Sequence, residues 1–280
     1  MDWKGRKKSS NVEDRRGLSS GKMVVGGIGG IILLLVFTLL GGNPVDIINN
    51  MQNTDTEVDS SYQATAEEEE LAEFVSVVLA ETEEVWTMLF KEQGGQYDYP
   101  TLVLYSGMVD SACGVAGSSA GPFYCSGDQK VYLDLSFFNE LRKNYHAPGD
   151  FAIAYVVAHE VGHHVQMLLG IMDQLNELRQ KLSKTEYNNL MVRLELQADY
   201  FAGVWAHYVN RIDLLEKGDL EEALNAASAV GDDRLQKQNQ GYVVPDSFTH
   251  GTSEQRQRWF YKGFTNGTIA GGDTFSMDID

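Results

Sequence analysis

The chain is predicted to fold as a mainly helical α+β domain with a small β-sheet, preceded by one transmembrane helix. Three patterns predict this. Apolar residues recur with helical period over long stretches near 65–92, 149–169 and in a third segment ending near 211. Two short runs rich in β-branched and aromatic residues, at Thr101 to Tyr105 and Val131 to Leu135, lie between the first two stretches. Ahead of them all, Met23 to Leu40 contains no charged side chain.

Taken in order, residues 1–22 form a basic tail, in which Lys4, Arg6, Lys7, Lys8, Arg15, Arg16 and Lys22 face only Asp2, Glu13 and Asp14. The charge-free run that follows has about the 18 to 20 residues that a bilayer crossing requires, so residues 23–42 are expected to span. A cleaved signal peptide would have a shorter apolar core and a small-residue cleavage site, whereas this run exits as Leu39-Leu40-Gly41-Gly42-Asn43-Pro44. The positive-inside rule then places the tail in the cytoplasm and the remainder outside, as a single-pass protein of the cell membrane. Residues 43–63 are polar, lack an apolar period and read as a linker. From residue 64 to residue 280 the chain is long enough to bury one core. Its first helix carries Leu71, Phe74, Val75, Val78, Leu79, Val85, Trp86 and Leu89 at helical spacing, and a Gly/Ser loop is expected at 114–121.

The segment expected as the second long helix contains His159-Glu160-Val161-Gly162-His163. Residues four apart on a helix lie almost above one another, so two imidazoles can reach one tetrahedral cation. Glu160 then stands where a general base takes a proton from a water acidified by zinc. This is the H-E-x-x-H arrangement of zinc peptidases. The metzincin extension is excluded, because it would require Gly and His where the chain has Gln166 and Leu169. His164 is rotated away from the His159/His163 face and reads as a polar neighbour. As third ligand, Glu195 is preferred over His146, His207 and His250. Glu195 and Asp199 are four apart on an apolar helical face, and carboxylates are costly to bury there unless they are paired or bound to a metal. Asp199 is accordingly expected to hold the non-ligating nitrogen of a zinc-bound His, most simply His159.

With these motifs, the sequence resembles the neutral zinc metallopeptidases of bacteria, a membrane-anchored family related to the gluzincins by H-E-x-x-H plus E-x-x-x-D. Further agreement comes from Asp14-Arg15-Arg16-Gly17, Ser111-Ala112-Cys113-Gly114, Gly121-Pro122-Phe123-Tyr124-Cys125 and Val131-Tyr132-Leu133-Asp134-Leu135, so that the likeness runs from about residue 10 to about residue 265. The resemblance implies a zincin-like domain that holds one Zn2+ per chain. In that plan an edge strand, here Phe123-Tyr124-Cys125 or the Val131 strand, aligns the substrate backbone.

Near the C-terminus, His250 and Arg256 are six apart, a spacing similar to a His-Pro-x-x-x-x-Arg segment of membrane gluzincins, with Gly251 in place of Pro. One reading makes either residue a donor to the oxyanion of the transition state. The other makes His250 a helix-entry residue ahead of an N-cap at Thr252 or Ser253, with Arg256 pairing a buried carboxylate.

The net charge is −18 for the whole chain, and the part beyond the basic tail is more acidic still, which excludes nucleic acid as a partner for want of clustered Lys and Arg. The two cysteines, Cys113 and Cys125, fall in the segment placed outside, where a disulfide is expected. The sequence therefore predicts a membrane-anchored zinc endopeptidase acting on protein or peptide substrates. The alternative is a membrane-tethered binding or chaperone protein with a structural zinc, which would close its site with four protein ligands.

Overall fold

The computed structural model describes residues 1–17, 62–117, 120–143 and 147–280. Its sheet is built around two strands that are apolar on both faces, β2 (Thr101–Tyr105) and β6 (Lys130–Asp134), which pair in parallel. β1 (Val12–Asp14) adds in parallel to the outer side of β2, and β5 (Phe123–Cys125) adds antiparallel to β6, giving the order β1-β2-β6-β5. Because side chains alternate along a strand, Leu102, Leu104, Val131 and Leu133 face the helical core. Val103, Tyr105 and Tyr132 point the other way, into a small cluster with Val109 and Cys125. A hairpin of β3 (Met108–Ser111) and β4 (Gly114–Gly117) follows β2.

The helices are α1 (Ala66–Glu92), α2 (Phe137–Lys143), α3 (Asp150–Leu168), α4 (Ile171–Leu178), α5 (Lys184–Asn210), α6 (Asp219–Ala229), α7 (Asp232–Gln240) and α8 (Ser253–Asn266). Three of them start with a capping box, in which Thr65 pairs with Glu68, Ser183 with Glu186 and Thr252 with Gln255. Thr252 is thus the N-cap of α8. α3 is central: its Phe151, Tyr155, Val161 and Val165 are at most 1% exposed. Each such side chain contributes about 1.5–3 kcal/mol by leaving water.

Close backbone approaches fix where the functional side chains meet. A Cβ on Gly162 of α3 would lie 3.0 Å from the carbonyl oxygen of Ala198, so α3 and α5 nearly touch within one turn of His159, His163, Glu195 and Asp199. α5 and α8 are closer still. A Cβ on Gly203 would meet the Phe260 oxygen at 2.0 Å, and one on Gly263 would meet the Tyr200 oxygen at 2.0 Å.

Two sequence expectations need revision. The stretch read as a Gly/Ser loop at 114–121 holds β4, because the hairpin pairs its backbone groups with β3. The domain boundary at residue 64 omits residues 1–17, which are not a separate tail: Met1 and Trp3 are buried and β1 completes the sheet. The expected span at 23–42 and the linker at 43–63, apart from its last two residues, lie outside the described residues. Among those described, no helix is long and apolar enough to cross a membrane.

Candidate metal centre and cleft

His159 and His163 project from one face of α3 toward Glu195 of α5. One ligand atom from each of the three lies within 4.8 Å of the others. His159 Nε2 is 3.1 Å from Glu195 Oε2, and His163 Nε2 is 3.5 Å from Glu195 Oε1. Zn–N and Zn–O bonds near 2.0–2.1 Å in tetrahedral geometry place ligand atoms about 3.3 Å apart. The donor set and its spacing therefore fit a zinc ion. The second acidic group close enough for a cation, Asp150, Asp219 and Glu222, has an ammonium partner already, since the Met1 amine lies 2.9 Å from Asp150 and 3.1 Å from Asp219.

The other nitrogen of each imidazole is held from behind. His159 Nδ1 donates to Asp199 Oδ1 at 2.8 Å. Asp199, fully buried, also accepts from Tyr155 Oη at 2.5 Å and from Arg256 Nε and Nη2 at 2.8 and 3.0 Å. His163 Nδ1 donates to Gln166 Oε1 at 2.8 Å. Gln166 has no choice of orientation, because its Nε2 donates to the Leu194 carbonyl at 2.6 Å and to Gln197 Oε1 at 3.1 Å. Both hydrogen bonds leave the Nε2 atoms directed at Glu195.

Burial opposes every charge here, and the neighbours overcome it. Asp199 and Glu195 push His159 up to about 10, and Glu195 raises His163. Despite burial, Arg256 and His159 lower Asp199 to about 2, and the two imidazoles hold Glu195 well below the usual carboxylate range.

A cleft of about 420 Å³ opens over these residues. Glu160 lines it beside the two imidazoles, together with Ala120 to Tyr124, Phe137, Val230, Leu235 and His250. His250 is oriented by Asp232, whose Oδ1 is 3.2 Å from Nδ1 and whose Oδ2 accepts the backbone N–H groups of Thr249, His250 and Gly251. Arg256 borders the cleft, but its guanidinium is engaged by Asp199, Tyr155 and the Val230 carbonyl, as an ion-pair partner for the buried carboxylate.

His164 is spent elsewhere. Its Nε2 donates to the Asp98 carbonyl at 2.7 Å, which leaves Nδ1 to accept from Tyr124 Oη at 2.9 Å. This bond ties β5 to α3 beside the metal centre. His207 donates to the Phe264 carbonyl, away from the cleft, and His146 lies outside the described residues. β5 is the sheet's edge next to the cleft, whereas β6 is internal. Cys113 and Cys125 form a disulfide.

Sequence reasoning missed Gln166, Asp232 and Tyr155. Gln166 carried a signal, as a polar residue three positions from His163 in an apolar run. Tyr155 carried one too, standing one turn before His159 on the same helix, whereas Asp232 is brought in by tertiary packing.

A family model described as "Putative neutral zinc metallopeptidase" matches residues 1–275. The chain belongs to this zinc metallopeptidase family. It is 50% identical to the uncharacterized protein YpfJ of Escherichia coli K12, over the whole length of both chains. It is 43% identical to the uncharacterized protein Mb2605 of Mycobacterium bovis, over 64% of each. No solved structure matches.

Proposed function

We propose that this metallopeptidase is a zinc endopeptidase that binds an extended peptide along β5 and hydrolyses it with Glu160 as general base. The observation that carries the reading is the convergence of His159, His163 and Glu195, within 4.8 Å, on a cleft that Glu160 also lines. Three ligands leave a fourth position open, as catalysis requires and a structural site does not. Held there, zinc supplies Lewis acidity and lowers the pKa of a water to about 7.

The chain's own groups do the rest. Glu160 takes the proton of the attacking water and returns it to the leaving amine. His250, which Asp232 holds by Nδ1 and favours in its protonated form against burial, donates to the oxyanion as an imidazolium. The open edge of β5 supplies backbone donors and acceptors to a substrate strand. Phe137, Val156, Val230 and Leu235 line the cleft and favour an apolar substrate side chain. The Cys113–Cys125 disulfide supports an oxidising, extracytoplasmic setting for this body.

The test is Glu160→Gln in the full chain. It should retain zinc and fold while losing hydrolysis of a peptide library. Equal cleavage by both proteins would remove the peptidase reading in favour of a tethered binding protein.

A further inference from the structure

Residues 1–17 are built into the catalytic body. Along β1, Val12, Glu13 and Asp14 stand opposite Leu102, Val103 and Leu104. The ladder is closed by Leu102 N–H to the Asn11 carbonyl at 2.9 Å and Arg15 N–H to the Leu104 carbonyl at 2.8 Å. Trp3 packs edge-on against Phe74 of α1, with ring centroids 5.4 Å apart.

Two glutamates of α1, Glu81 and Glu83, are buried and take partners from this segment. Arg6 Nη1 reaches Glu81 at 2.9 Å, while Ser9 Oγ and Asn11 Nδ2 reach Glu83 at 2.5 and 2.8 Å. A buried carboxylate without partners is strongly unfavourable, so α1 as written presupposes residues 1–17. The basic side chains follow the same logic. Lys4 pairs with Glu70 and Lys8 with Glu73, so the charge that suggests a cytoplasmic tail complements the acidic face of α1.

The two ends that border residues 18–61 meet. A Cβ on Gly17 would lie 2.4 Å from the Tyr62 ring, and Arg16 donates to the Glu68 carbonyl at 3.2 Å and to Glu69 at 3.0 Å. Whatever path the intervening residues take, the chain departs and returns at one place. A single crossing would instead separate the two ends by the roughly 30 Å of a bilayer's hydrocarbon core.

We propose that residues 1–17 are a structural strap of the catalytic body, so that the strap and the cleft lie on one side of any membrane. The proposal stands on strap packing and does not depend on the peptidase reading.

The test uses the full chain with Lys7→Cys or, separately, Tyr242→Cys, at side chains that are 75% exposed and a residue that is 62% exposed. The native cysteines are paired and silent. A membrane-impermeant maleimide is applied to intact and to detergent-permeabilised spheroplasts. Both positions should give the same result in intact cells, either both labelled or both protected. Labelling of one in intact spheroplasts, with the other reacting only after permeabilisation, would overturn the proposal. Docking is read independently by charge exchange: Arg6→Glu should lower the melting temperature by a few degrees, and adding Glu81→Arg should restore it. An unchanged melting temperature in Arg6→Glu would show that the strap is not docked.

Discussion

Asp199 and Arg256 face each other across the α5–α8 contact at 2.8 and 3.0 Å, and both are almost wholly buried. The pair locks the carboxylate that holds His159, so it connects helix packing to the metal centre. The geometry has a stability consequence. Arg256→Ala removes the guanidinium from a buried carboxylate and leaves it only Tyr155 and His159 as partners, and breaking such a buried pair costs up to about 3–5 kcal/mol. Chemical denaturation should show that loss.

Gln166 is expected to matter for zinc rather than for folding alone. Its amide hydrogens are committed to Leu194 and Gln197, which makes its oxygen the fixed acceptor for His163 Nδ1. Gln166→Leu should weaken zinc binding about 10- to 100-fold, the usual effect of losing a partner behind a ligand. Competition with a zinc chelator measures it. Unchanged affinity would mean that packing alone orients His163.

Much of this centre was legible because it is local. His159, Glu160 and His163 follow from helical spacing, and so does the pairing of Glu195 with Asp199, whose cost of burial called for a cation. What periodicity leaves open is which helices touch, and that is decided by small residues. Gly162 against Ala198 brings α3 onto α5, and Gly203 with Gly263 brings α8 close enough for Arg256 to reach Asp199. Asp232 precedes His250 by eighteen residues, and only the fold returns it to the ring. The packing of residues 1–17 is illegible in the sequence for a different reason: Lys4, Arg6 and Lys8 find their partners among the glutamates of α1, dozens of residues away.

The cleft makes a separate claim on His250 and Asp232. If His250 donates to the oxyanion, His250→Ala should lower kcat by about 10²- to 10³-fold, the usual loss on removing one such donor. Zinc content should stay unchanged. Asp232→Ala should lower kcat too, because it frees the ring and releases the three backbone N–H groups that shape the 249–251 turn. Steady-state kinetics beside metal analysis separates the two effects. Loss of zinc in His250→Ala would move His250 into the ligand set.

Zinc uptake should also release a proton. Against burial, Asp199 and Glu195 raise His159 from 6.5 to about 10. A protonated His159 therefore stabilises the metal-free fold fully below pH 6.5, and that contribution is lost as pH rises through about 10. Zinc needs the neutral ring, so near pH 7.5 binding must displace this proton, and zinc affinity should rise with pH up to about 10. Calorimetry of the chelator-treated protein in two buffers of different ionisation enthalpy counts the protons released. About one or more is expected for the native chain, and fewer for Asp199→Asn, which removes the charge that holds the imidazolium. Proton-neutral uptake by the native chain would show that His159 is already neutral before the metal arrives.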